Sequence, residues 1–237
     1  RLQDKVLDII EEIEPQVAFE NGQKSMHGNK ILPGLMCHCM CGKLTDEQVS
    51  LKVQEYISKK AQEDNNLDSV SRKFKSETEI NVLKKIVETM FDPEKLASFH
   101  KPIDGMEQIL NEISHSGKYK LLILSNWSCQ AYGCLKISKN TQEIFKYFND
   151  KDIFVSGLCG VMKPDTRAYN NILNYISSTY NISAQECLII DDQAENTYAA
   201  QQFCNMQAIN FKDAKQLRAE LQKLGVLQPQ QSSSWFW

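Results

Sequence analysis

LLILSN, residues 121–126, is a short apolar run without alternation that ends on a hydroxyl and an amide. Unbroken runs of this length suit strands buried on both faces of a sheet. Further along come Ile153-Phe154-Val155, then Leu188-Ile189-Ile190, then Gln207-Ala208-Ile209-Asn210-Phe211. Helical spacing separates them, over residues 141–148, 165–179 and 194–203. Short apolar runs alternating with helices predict an α/β fold with a parallel sheet covered by helices on both sides.

Upstream of this pattern the chain reads as helical. Leu2, Val6, Ile9, Ile10 and Ile13 form one stripe that stops before Pro15. Thr45 with Gln48, and Ser76 with Glu79, have capping-box spacing and open two further helices. Asp92-Pro93 starts a short one. Residues 15–44 and 62–71 read as irregular. A helix carrying Met106, Ile109, Leu110 and Ile113 should end near Gly117. Three parts follow: a helical region over 1–100, an α/β core over 101–227, and a low-complexity tail over 228–237 that ends in Trp-Phe-Trp.

Composition narrows the function classes. A net charge of −3 with scattered Lys and Arg gives no electrostatic case for nucleic acid. No apolar run approaches the roughly 20 residues that span a bilayer, so no membrane role is expected. The opening RLQDKVLDII mixes charges with apolar residues, unlike a leader, and the setting is read as cytoplasmic. The eight cysteines show no disulfide framework. Cys37-His38-Cys39-Met40-Cys41 invites a metal reading. Its one-residue spacing and the want of a second Cys/His pair favour an apolar lining near the hinge between helical region and core. Nothing in the sequence speaks to oligomeric state.

In open α/β sheets, ligands bind beyond the carboxyl ends of the strands. There the sequence places Ser125-Asn126 and Asp191-Asp192, with Lys163-Pro164 between them at a helix entrance. A hydroxyl, a lysine and two carboxylates suit a phosphoryl group with a divalent cation. Each piece alone has a plain structural reading, as turn, N-terminal proline or helix cap. Together, in this order, they are much more specific.

LLILSN, GLCGVMKPDTRAYN (157–170) and ECLIIDDQAENTYAA (186–200) resemble the second, third and fourth motifs of the haloacid dehalogenase (HAD) superfamily. The branch with a small helical cap is the nearest match. The resemblance implies a Rossmann-like three-layer core under a helical cap, and an Mg²⁺-dependent phosphatase acting on a small phosphorylated metabolite through an aspartyl-phosphate. It assigns Ser125, Asn126 and Lys163 to the phosphoryl group, with Ser125 and Lys163 catalytic. Asp192 becomes the Mg²⁺ ligand, Asp191 a second ligand or its support, and Asn196 the residue that orients them. The superfamily's first motif, an apolar strand ending in Asp-x-Asp, has no match. The single Asp-x-Asp, Asp150-Lys151-Asp152, follows no apolar strand. The first motif is therefore expected upstream of Arg1. Its strand would leave a slot between the 121–124 and 188–190 strands. The alternative reading is a non-catalytic binding or regulatory protein on the same scaffold. A response-regulator receiver is disfavoured, because its acidic pair comes first in the chain.

Overall fold

The computed structural model describes residues 2–27, 30–64, 66–68 and 71–229. The first apolar stripe forms α1 (Leu2–Ile13) and buries Val6, Ile9 and Ile10. Residues 15–44, expected to be irregular, instead hold an antiparallel pair, β1 (Met26–His27) and β2 (Lys30–Ile31), and a helix, α2 (Gly34–Met40). Leu35 and Cys39, four residues apart, bury the same face of α2. Gly34 lets this helix approach α1, since a Cβ there would lie 2.6 Å from the Pro15 carbonyl oxygen.

α3 (Asp46–Asp64) begins with the reciprocal bonds expected of Thr45 and Gln48, at 2.9 and 3.1 Å. It runs into the stretch read as a loop, and Asp64 accepts the Phe74 N–H at 2.7 Å. α4 (Glu77–Met90) is capped by Ser76, and α5 (Pro93–Phe99) by Asp92. Val6, Ile9, Leu35, Val53, Leu83 and Val87 meet in one apolar cluster built from α1 to α4.

The core continues with α6 (Met106–Ser116), closed by Gly117 at φ +63°. Next are β3 (Ile123–Ser125), α7 (Cys129–Ile137), α8 (Gln142–Phe145), β4 (Ile153–Val155), α9 (Ser156–Cys159) and α10 (Thr166–Tyr180). β5 (Leu188–Asp191), α11 (Ala194–Cys204), β6 (Gln207–Asn210) and α12 (Ala214–Lys223) complete it. Helices cover both faces. Ile109, Ile113, Leu217 and Leu221 pack with Ile209 on one side, and Tyr169, Ala199 and Ala200 with Ile189 on the other.

The parallel strands fall into two separate pairs. β3 pairs with β4 in the register Ile123 to Ile153, and β5 with β6 in the register Leu188 to Gln207. Among the described residues no ladder joins β3 to β5. Each therefore has an edge without a strand partner, and Ile190 is 38% exposed where a covered central strand would hide it.

The helical region docks on the core through polar ties. Ser128 Oγ donates to Asp46 Oδ2 at 2.6 Å, Ser156 Oγ to the Met40 carbonyl at 2.6 Å, and Asn21 Nδ2 to the Pro164 carbonyl at 2.8 Å. α5 packs on α7, which joins the end of the helical region to the core. No helix among the described residues is long and apolar enough to cross a membrane. The Trp-Phe-Trp tail lies outside the described residues.

Candidate active site

Ser125 is the last residue of β3, and Asn126 follows it. Asn126 Nδ2 donates to the Lys163 carbonyl and Asn126 Oδ1 accepts the Lys163 N–H, both at 2.9 Å. One side-chain amide thus fixes the loop that carries the lysine. The Lys163–Pro164 bond is cis.

Lys163 is buried and spans the space between the two strand pairs. Its Nζ donates to the Leu124 carbonyl of β3 at 2.7 Å and to Asp191 Oδ2, at the end of β5, at 2.6 Å. Asp191 Oδ1 accepts the Gln193 N–H and Asn196 Nδ2, each at 2.9 Å. A buried ion pair costs desolvation, and these surrounding hydrogen bonds offset it. Asn196 is held in turn by α10, whose buried Tyr169 donates its hydroxyl to the Asn196 carbonyl at 2.9 Å.

Ser125, Asn126, Lys163, Asp191, Asp192 and Asn196 all line one cavity of about 560 Å³ between the core and the helical region. The Ser125 hydroxyl has no hydrogen-bond partner among the described residues. Trp127 forms part of the wall, with its ring edge-to-face with His100 at 4.9 Å between centroids. The cavity therefore offers a free hydroxyl, an ammonium and an exposed carboxylate, Asp192, at the carboxyl ends of β3 and β5.

As an Mg²⁺ site this set is incomplete. Both oxygens of Asp191 are committed, Oδ2 to Lys163 and Oδ1 to Gln193 and Asn196. Asp192 is the one open carboxylate of the pair, and no group of three His, Cys, Asp or Glu that would hold a metal occurs among the described residues. Asp192 is the one carboxylate the described pair would offer Mg²⁺, and waters, phosphoryl oxygens or further carboxylates would fill the rest of its shell of about six oxygens. In this structure Asp191 pairs with Lys163.

Asp150-Lys151-Asp152 forms a 3-10 turn away from the cavity. Asp150 pairs with Lys136 at 2.6 Å, while buried Asp152 accepts the hydroxyls of Tyr175 and Tyr180 at 2.7 and 2.6 Å. Both carboxylates have structural partners. Cys37, His38, Cys39 and Met40 of the cysteine cluster lie in α2, and Cys41 caps its end. Burial pushes the Cys37 thiol up to about 11, and burial beside the Asp46 carboxylate raises Cys39 still further.

Asp46 and Ser128 are among the wall residues that the sequence did not mark. Asp46 opens α3, is 4% exposed, and accepts Ser128 Oγ and the Cys39 thiol. No local pattern marks it, since its partner Ser128 lies 82 positions away.

No protein-family model matches the sequence. No curated protein matches it either. Among solved structures, a HAD-like family hydrolase from Porphyromonas gingivalis aligns with a TM-score of 0.53 and 16% identity, over 82% of this chain and 80% of that one. A HAD family enzyme from Bacteroides thetaiotaomicron, in complex with magnesium and inorganic phosphate, aligns at 0.48 and 17% identity, over 88% and 86%. Helices on both faces of parallel strands, a helical region ahead of them and the first of these alignments agree: the chain has the fold of the HAD-like hydrolases.

Proposed function

We propose that this protein is a phosphate-ester hydrolase that acts on a small phosphorylated metabolite. The observation that carries the reading is the placement of the free Ser125 hydroxyl and the Lys163 ammonium on one cavity at the ends of β3 and β5. Ser125 would donate to a phosphoryl oxygen, and Lys163 would offset the charge that gathers on the group in the transition state. Asn126 would hold Lys163 in place. The aspartyl nucleophile would come from a strand seated in the slot between β3 and β5, beside Lys163. Mg²⁺ would need oxygen ligands beyond Asp192, and the roles given to these residues do not run through it. A second reading, a non-catalytic phosphate-binding protein, draws on the Lys163–Asp191 pair, which bridges the slot directly.

Calorimetry with inorganic phosphate tests the shared part of both readings. Phosphate should bind, and both Ser125→Ala and Lys163→Met should weaken it. Equal affinity in wild type and both variants would remove the phosphoryl site from this cavity.

A further inference from the structure

The phosphoryl end of the cavity is polar, but the wall opposite is not. Leu7 of α1, Met36 and Met40 of α2, Met90 of α4, Phe91 and Leu96 line it from the helical region. Three of these six are methionines, whose flexible thioethers fit varied apolar shapes.

Polar groups near this wall are largely spoken for. Asp46 is engaged by Ser128 and Cys39, His100 Nδ1 lies 2.6 Å from the Leu96 carbonyl, and Gln193 Nε2 donates to the Met26 carbonyl at 3.1 Å. The exposed Gln3 amide, the Ser25 hydroxyl, the Trp127 indole N–H and His100 Nε2 remain, four groups, fewer than the hydrogen bonds that a hexose's hydroxyls and ring oxygen can make. Hydroxyls pressed against an apolar wall without partners lose their hydrogen bonds to water at a cost. An aromatic or aliphatic group would instead gain from burial there.

We infer that the substrate is the phosphate monoester of an apolar, aromatic or short aliphatic, alcohol, with its phosphate toward Ser125 and Lys163 and its organic half against the methionine-rich wall. The inference rests on the phosphoryl-site reading above and adds the chemistry of the other half.

The test is titration calorimetry of the full chain with three ligands: inorganic phosphate, benzylphosphonate and glucose 6-phosphate. Benzylphosphonate should bind at least about tenfold tighter than inorganic phosphate, the gain expected from burying one ring. Glucose 6-phosphate should bind no tighter than phosphate. Met90→Gln, checked for folding by circular dichroism, should weaken benzylphosphonate roughly tenfold. If phosphate binds but benzylphosphonate is no tighter, or glucose 6-phosphate is the tightest, the apolar substrate is overturned and the phosphoryl site stands. If none of the three binds, the phosphoryl site itself fails. The wild-type comparison decides between these outcomes even if the variant does not fold.

Discussion

The helical region and the α/β core solve the same problem with unequal success. In α1 to α4 the helices satisfy the backbone of their interior turns within themselves, and need one another chiefly to bury side chains. Their apolar faces close into a single cluster in which Val6, Ile9, Val53, Leu83 and Val87 are fully buried. In the core, a strand satisfies its backbone only through a neighbour. β3 and β5 each have one neighbour; the Lys163 side chain hydrogen-bonds to both, and Leu121 and Leu124 pack on the apolar clusters that β5 and β6 share. A helical unit can be complete alone, while strands without a neighbour on one side leave backbone groups unpaired at that point. That point is also the candidate active site.

If the lysine is the joint, its loss should cost most. Lys163→Ala leaves the buried Asp191 carboxylate without its cation, and should destabilise the core by about 3–5 kcal/mol in denaturant unfolding. A loss under about 1 kcal/mol, the range of exposed pairs, would mean that the two halves are held by packing alone. Leu83→Ala probes the other region. Leu83 is fully buried, and the truncation should cost about 2–5 kcal/mol. The two variants should also differ in kind. Lys163→Ala should lower phosphate affinity, whereas Leu83→Ala should act on stability.

Asp152 gives a smaller, pH-dependent contrast within the core. Burial alone would raise its carboxyl, but the Tyr180, Asn149 and Tyr175 side chains more than offset this and hold it below the ordinary value. A depressed carboxyl stabilises the fold above its unfolded value, near 3.9, and that contribution fades as pH falls through the lower folded value. Asp152→Asn should therefore cost about 1–2 kcal/mol at pH 7, and the difference from wild type should shrink below about pH 4. A pH-independent difference would show that shape, and not charge, is what the tyrosines recognise.

The strands at 153–155 and 188–191 were legible because they are continuous apolar runs with turn residues on either side. The run at 121–124 was legible as a strand but not in its limits. Pairing with β4 starts only at Ile123, and no second neighbour draws Leu121 and Leu122 into a ladder. α2 was missed because glycine, histidine and three cysteines obscure its spacing. What stabilises it is tertiary: Gly34 against Pro15, and Cys37 receiving Gln16 Nε2 at 2.8 Å. α7 and α12 carry readable signals, Ser128 and Asp213 as caps before buried Leu135, Leu217 and Leu221. The site's polar residues stood out because they follow strands. The pairing of Asp191 with Lys163 was not visible, since it depends on which carboxylate oxygen faces the slot.

The most direct test is to fill the slot. The chain is extended ahead of Arg1 by an apolar strand ending in Asp-x-Asp, and hydrolysis of p-nitrophenyl phosphate is followed with Mg²⁺ in the buffer. The account predicts no turnover by residues 1–237 alone, turnover and a higher melting temperature in the extended chain, and loss of that turnover in extended Lys163→Ala. Turnover by the 237-residue chain alone, or an extended chain that folds no better and stays inactive, would contradict it.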